Sequence, residues 1–434
     1  MRIDGFSQPG SKPNTLATFD NATRCIVLNG GGTIGSGLVP AFSAANSQFW
    51  VQGLAFEGFH DTGGNCSGTA LGLFFGGAGD LVWGNQFGGK LGNLTLTAND
   101  VDIAGGTNAS IGGSAPSQRN IIAGASCKNA SGSSEGFGIS ASYDTFFGGP
   151  AGMSIVGNLI GTDASESTSG GNDHNVYLQT SSNNVSHNVI VNGSVGVELQ
   201  GGQATNNTVE NNLIGITNSY CVLFPSPICY AGTAAGNSVG IALYGDASGA
   251  ASGNTVAFNT AWYNGIGIYL KMGANGSPEH DAILGNSIYA SDPIYGGIYT
   301  GYPVNVTYND ADPSVQAQPN RGLNNPIITR AIGGTFSGLV TGTLASTNAS
   351  YTIEVFSSQQ CDAGGYGEGE TFHGSSLAAI SNAPIGNNGS TSFSIPFNVE
   401  PGGNLGSLSV PKTGLTFVIL KSAILWANLS NISS

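Results

Sequence analysis

The sequence predicts an all-β chain: a right-handed parallel β-helix over residues 1–315 and a small antiparallel, immunoglobulin-like β-sandwich over residues 316–434. Three observations predict this: a composition hostile to helices, a repeat of about two dozen residues, and the sudden end of that repeat near residue 315.

Glycine supplies 70 residues, and only 8% of the chain is charged, about a third of the usual share. Glycine inside a helix costs about 1 kcal/mol relative to alanine, so long helices are disfavoured. At the same time 40% of the residues are hydrophobic, enough apolar material for a core, and Val, Ile and Leu recur in short blocks. Blocks of that kind mark buried parallel strands. The formal net charge is −14, with 11 Lys and Arg in total and no basic cluster, which argues against a nucleic-acid partner. No apolar run reaches the ~18 residues of a membrane span. The opening MRIDGFSQPGSKPNTL reads as strand and turn rather than as an export signal.

The repeat is a polar Asn pair, a Val/Ile run, a second Asn, then a Gly-led strand. Five copies start at Ser154 (SIVGNLIGTDAS), Asn183 (NNVSHNVIVNGSVGVELQGG), Asn206 (NNTVENNLIGITNS), Gly253 (GNTVAFNTAWYNGIGIYLKMG) and His280 (HDAILGNSIYAS). The second Asn marks the phase: Asn158, Asn188, Asn212, Asn259 and Asn286, in steps of 30, 24, 47 and 27 residues. The long step predicts a skipped coil, with NSVGIALYGDASG as its trace. Asn120 and Asn85 continue the series upstream with longer loops. Stacked Asn side chains at turns can bond one another in ladders, and each coil then buries its apolar face only against its neighbours. A leucine-rich repeat would need a spaced Leu frame and helical segments, and neither is present.

Several stretches carry a resemblance. They are RIDGFSQPGSKPNTL (2–16), ASIGGSAPSQRNIIAG (109–124), GNLIGTDAS (157–165), YNDADPSVQAQPNRGLNNPIIT (308–329) and IEVFSSQQCDAGGYGEGETFHGS (353–375). Through them the chain resembles a group of exported bacterial β-helix proteins of the pectin-lyase-like superfold, over nearly its whole length. The resemblance implies the architecture and a place outside the cytoplasm, in the extracellular space or on the cell surface. It also implies an export signal ahead of these residues, either removed or encoded in a longer gene. It implies no particular reaction.

Past residue 315, the segments TFSGLVTGTL, SYTIEVFSS, TFHGSSLAAI, STSFSIPFN and LTFVILKSAILW alternate as antiparallel strands do. They are expected to cover the last coil, whose open sheet edges would otherwise invite aggregation.

Aligning the Gly-led strands places Val176, Leu178, Val197, Leu199, Ile241, Leu243, Ile268 and Leu270 inward. One outward row then holds Tyr177, Glu198, Ala242 and Tyr269, extended by Tyr299, and the next holds Gln179, Gln200, Tyr244 and Lys271. Asp173, His174 and Asp246 lie just beyond the strand ends. Aromatic faces pack on sugar C–H surfaces while amides and carboxylates bond hydroxyls. Tyr177, Gln179, Gln200, Tyr244, Tyr269 and His174 are therefore the expected contacts to a polysaccharide or cell-surface glycan. For cleavage, Glu198 with Asp173 or Asp246 is the candidate carboxylate pair, and Lys271 the candidate base of an elimination. Asp310 and Asp312 resemble a short calcium loop, making Ca²⁺ the one candidate cofactor. Cys221 and Cys229 bracket a short loop that a local disulfide can close. The expected function is a secreted polysaccharide-binding or polysaccharide-degrading protein of lyase or glycosidase type. The alternative is a non-catalytic adhesive or structural protein of the cell surface.

Overall fold

A computed structural model describes residues 1–31, 36–38, 48–59, 68–73, 78–88, 99–103, 106–128, 135–143, 149–166, 170–217, 221–223, 227–229, 234–295, 297–300, 326–333, 337–346, 349–357, 368–381, 389–398, 415–420 and 424–428. Among these the chain is built of strands, with 3₁₀ turns at Gly5–Ser7 and Pro116–Gln118.

Three parallel sheets wind into a β-helix, each coil giving one strand to each sheet. The first sheet runs from Arg2–Asp4 to Ala282–Leu284. The second runs from Ile26–Asn29 to Ser287–Tyr289, and the third from Ser36–Leu38 to Ile298–Tyr299. Inward residues of each strand stack on their counterparts in the next coil, as Val185 on Val209 and Val176 on Val197. All four are fully buried.

Asparagine sets the register at the corners. Between the first and second sheets, the side-chain amides of Asn85, Asn120, Asn158, Asn188, Asn212, Asn259 and Asn286 bond one to the next at 2.9–3.4 Å. The Oδ1 of each later residue also accepts the backbone N–H of the preceding one. A second ladder joins Asn183, Asn207, Asn254 and Asp281, and a third joins Asn172, Asn175, Asn237 and Asn264. The ladders thereby give hydrogen-bond partners to polar groups buried at the turns. As the chain enters the third sheet, glycine is needed because the coils approach closely: a Cβ on Gly240 would stand 2.6 Å from the Gly267 carbonyl oxygen.

The 47-residue step is one coil, not two. Asn212 bonds Asn259 directly, and Val239–Asp246, the expected trace of a skipped coil, is the third strand of the same coil as Thr208–Glu210. The additional length is a corner insertion containing the hairpin Cys221–Leu223/Pro227–Cys229. Loop length costs little entropy once the ladder has fixed the register on both sides. The hairpin sets Cys221 opposite Cys229, the backbone placement that a disulfide between them needs. Elsewhere Cys127 is disulfide-bonded, and Cys25 is free and exposed.

The outer face of the second sheet is not uniformly wet. Ile121, Leu159, Val189 and Val191 form a separate small core there with Ala235.

After residue 326 the strands are antiparallel, in a three-stranded sheet (Ile327–Gly333, Ser337–Ser346, Gly389–Asn398) and a four-stranded one (Thr371–Ile380, Ala349–Ser357, Leu415–Leu420, Ile424–Asn428). LTFVILKSAILW, read as a single strand in the sequence, is a hairpin of two. Val340, Leu344, Ile353, Val355, Phe393 and Ile395 pack between the sheets. This unit closes the last coil by imitating another one. The Gly285 N–H donates to the Glu354 carboxylate, at 2.9 Å to the nearer oxygen. The Ala290 and Ser291 N–H groups donate to the two oxygens of Glu368, both at 2.7 Å, and Ile288 N–H donates to the Gly369 carbonyl. In earlier coils the equivalent donors find acceptors on the following coil: Phe258 N–H meets the Leu284 carbonyl and Tyr263 N–H the Tyr289 carbonyl.

Two predictions follow from these contacts. Asn212 is 1% exposed and holds five ladder and backbone bonds. Asn212→Ala is expected to cost about 3 kcal/mol or more in chemical denaturation, since several buried groups lose partners. A loss below about 1 kcal/mol would show that the ladder does not hold the coils. Second, burial pushes the carboxyls of Asp281 and Glu354 up to about 7, against the bonds from Asn254 and Gly285 respectively. In the unfolded chain both ionise near pH 4. Between those limits the folded chain holds more protons, so their contribution is most favourable at the acid end, falls as pH rises, and levels off above about 7. Asp281→Asn with Glu354→Gln keeps the acceptor oxygens. The pair of changes is therefore expected to raise stability at about pH 8 and to leave it little changed near pH 4, as read from denaturation midpoints.

Candidate functional site on the third sheet

The inward residues expected on the third-sheet strands are all at most 1% exposed, which fixes the opposite face as outward. There the parallel register aligns Tyr177, Glu198, Ala242, Tyr269 and Tyr299 in a single row, one per coil. Gln200, Tyr244 and Lys271 form the next row. Gln179 follows Leu178 at the strand end and is half-buried, its backbone N–H bonded to the Ala141 carbonyl.

Aromatic contacts knit the rows together. Phe137 lies 4.8 Å from Tyr177 and 5.1 Å from His174, ring centre to ring centre. Further along, Tyr244 meets Tyr269 edge-on at 5.4 Å, Tyr269 meets Tyr299 at 5.1 Å, and Tyr299 meets Tyr295 at 5.1 Å. The Lys271 ammonium, on an exposed side chain, sits 5.2 Å from the centre of the Tyr244 ring, within cation–π range.

Polar atoms fill the gaps between rings. His174 Nδ1 and Glu198 Oε2 are 2.7 Å apart, and Glu198 is 4% exposed. The Tyr177 hydroxyl donates to Gln200 Oε1 at 2.9 Å. Burial, with the Glu198 charge second, holds the Tyr177 and Tyr244 hydroxyls well above the ordinary tyrosine range. Both are therefore neutral hydrogen-bonding groups at physiological pH.

The other two candidate carboxylates bind their own surroundings. Asp173 accepts from the backbone N–H of Cys127 at 2.8 Å and of Gly136 at 3.1 Å. It thus ties down the backbone just ahead of Phe137, the first residue of the strand Phe137–Ala141. Asp246 accepts from the N–H and hydroxyl of Ser248, both at 2.6 Å, within a tight hairpin. Asp310 and Asp312 lie outside the described residues. Among the described residues no three His, Cys, Asp or Glu side chains converge as metal ligands.

Sequence reasoning stopped two coils short at the other end. Ser140 pairs in register with Tyr177, and Asp102 with Ser140, so the row extends two coils upstream. The Ser140 hydroxyl donates to Asp102 Oδ1. From Asp102 to Tyr299 the row crosses six strand steps, about 29 Å at ~4.8 Å per step. The missed signal was FGISA at 137–141, whose Gly138 occupies the column of Gly196, Gly240 and Gly267. Long loops on either side hid its phase.

No protein-family model and no curated protein matches the chain.

Burial raises the Asp102 carboxyl above the usual range, and the Ser140 hydroxyl bond opposes that rise. Ser140→Ala is thus expected to move the Asp102 titration to still higher pH, read by carboxyl-carbon NMR. An unchanged or lowered midpoint would mean that the serine does not stabilise the carboxylate.

Proposed function

We propose that this outer face of the third sheet binds a polysaccharide, and that the protein is a secreted or cell-surface glycan-binding β-helix of the pectin-lyase-like kind. The observation that carries the reading is the in-register row of Tyr177, Glu198, Tyr269 and Tyr299. Neutral tyrosine rings offer apolar faces for sugar C–H groups, and the amide and carboxylate between them offer partners for hydroxyls. A linear repeat of such groups suits a linear repeating ligand. Cleavage is the extension of the same reading. It is supported by the buried Glu198 bonded to His174 at the centre of the row, a pairing suited to proton transfer. Lys271, exposed at its edge, is the base for an elimination.

The test is a glycan array with a polysaccharide-digest panel, run with and without calcium, reading unsaturated products and reducing ends together. Tyr269→Ala is expected to weaken glycan binding about tenfold, since loss of a stacked ring costs on the order of 1.4 kcal/mol. Thr208→Ala on the first sheet should leave binding unchanged. Products that vanish in Lys271→Ala would establish elimination with that base, and products that vanish in Glu198→Gln would establish acid/base work by the carboxyl. Binding without products leaves a recognition surface. Absence of binding to every glycan sinks the proposal and leaves the adhesive or structural alternative.

A further inference from the structure

The third-sheet face is lopsided in charge. Asp102 and Glu198 stand in the row itself, Asp173 lies just ahead of the strand His174–Leu178, and Asp246 is the last residue of Val239–Asp246. Glu198, Asp246 and Glu135 all lie close enough to Tyr177 to oppose ionisation of its hydroxyl. Against these five carboxylates, the described residues nearby set the Lys271 ammonium at one edge, Lys128 next to the Cys127 backbone that Asp173 holds, and His174, whose Nδ1 is taken up by Glu198. The rings are also arranged to receive cations: Tyr244 has an ammonium 5.2 Å from its centre, and Tyr269 and Tyr299 continue the same aromatic surface.

From this face we infer the chemical class of its ligand: an amine-bearing polysaccharide of the glucosamine type, rather than a uronic-acid polymer. The inference rests on the glycan reading of the same face and narrows it: on an amino sugar the cleavage open to this face is hydrolysis through Glu198, since elimination at Lys271 needs a uronate. A polyuronate brings one carboxylate per sugar and would set its negative charges against the carboxylates in and beside the row, a mismatch that weakens association and slows encounter. A protonated amino sugar presents an ammonium at each repeat, which the carboxylates attract and the tyrosine faces accept. The hydroxyls common to both classes bind the same amides, so charge is what separates them.

The experiment compares oligomers of one length: glucosamine, galacturonate and a neutral β-linked glucose oligomer. Each is titrated calorimetrically into the whole protein, with and without calcium, at low and high salt. The expected order is glucosamine tighter than the neutral oligomer by about tenfold, with galacturonate weakest and the preference shrinking as salt screens it. Asp246→Asn keeps an acceptor oxygen for Ser248 while removing a charge. This substitution should narrow the glucosamine preference while leaving neutral-oligomer affinity within about twofold. Galacturonate binding as tight as glucosamine binding, in either calcium condition, overturns the inference, and so does equal affinity for the glucosamine and neutral oligomers. If none of the three binds, or if Tyr269→Ala changes no affinity, the fault lies with the glycan reading itself.

Discussion

Everything in this β-helix hangs on the side-chain amide of asparagine. An amide carries a donor and an acceptor at one end of a short stem, so identical residues can bond head to tail along the helix axis. At the corner between the first and second sheets, seven asparagines do so without interruption. No charged side chain can both give and take in this way. The scarcity of charge and the abundance of Asn are thus one fact seen twice. Because the ladder fixes which residue sits above which, it also fixes the outward rows. Tyr177, Glu198, Ala242 and Tyr269 share a line because Asn158, Asn188, Asn212 and Asn259 do.

The same ladder lets the chain be careless elsewhere. A corner insertion between Asn212 and Asn259 adds length without shifting the next coil. The outer face of the second sheet can acquire its own small core of Ile121, Leu159 and Val189. The third-sheet face is different in kind. Its rings touch each other across coils, its buried carboxyl is bonded to a histidine, and one flanking carboxylate is spent holding the backbone that leads into the strand of Phe137.

Much of this was legible in the sequence, because a solenoid repeats its rules. The second Asn of each repeat located the ladder, and Val/Ile alternation with the Gly column gave the inward and outward faces of the strands at 174–178, 195–200, 239–246 and 266–271. What was not legible arose where repetition fails. The spacing between Asn212 and Asn259 counts residues, and residues do not distinguish a coil from a loop. Asp102 and Ser140 were hidden because phase cannot be carried across long insertions. The capping carboxylates Glu354 and Glu368 lie outside the repeat, and their backbone partners are far away in sequence, with no pattern linking them. Nor does the sequence show that Asp173 and Asp246 turn back onto neighbouring backbone and hydroxyl groups.

The substitution of carboxylates for a further coil has a consequence for assembly. A parallel β-helix with a bare end is a template: its free donors would recruit another copy, and each copy would present the same end again, giving an open filament. Glu354, Glu368 and the Gly369 carbonyl occupy those donors with groups from the same chain. A second molecule arriving at that end meets the flank of an antiparallel unit instead of a growing sheet. The C-terminal unit in this sense opposes head-to-tail growth at the second-sheet edge of the last coil, whose donors it already holds.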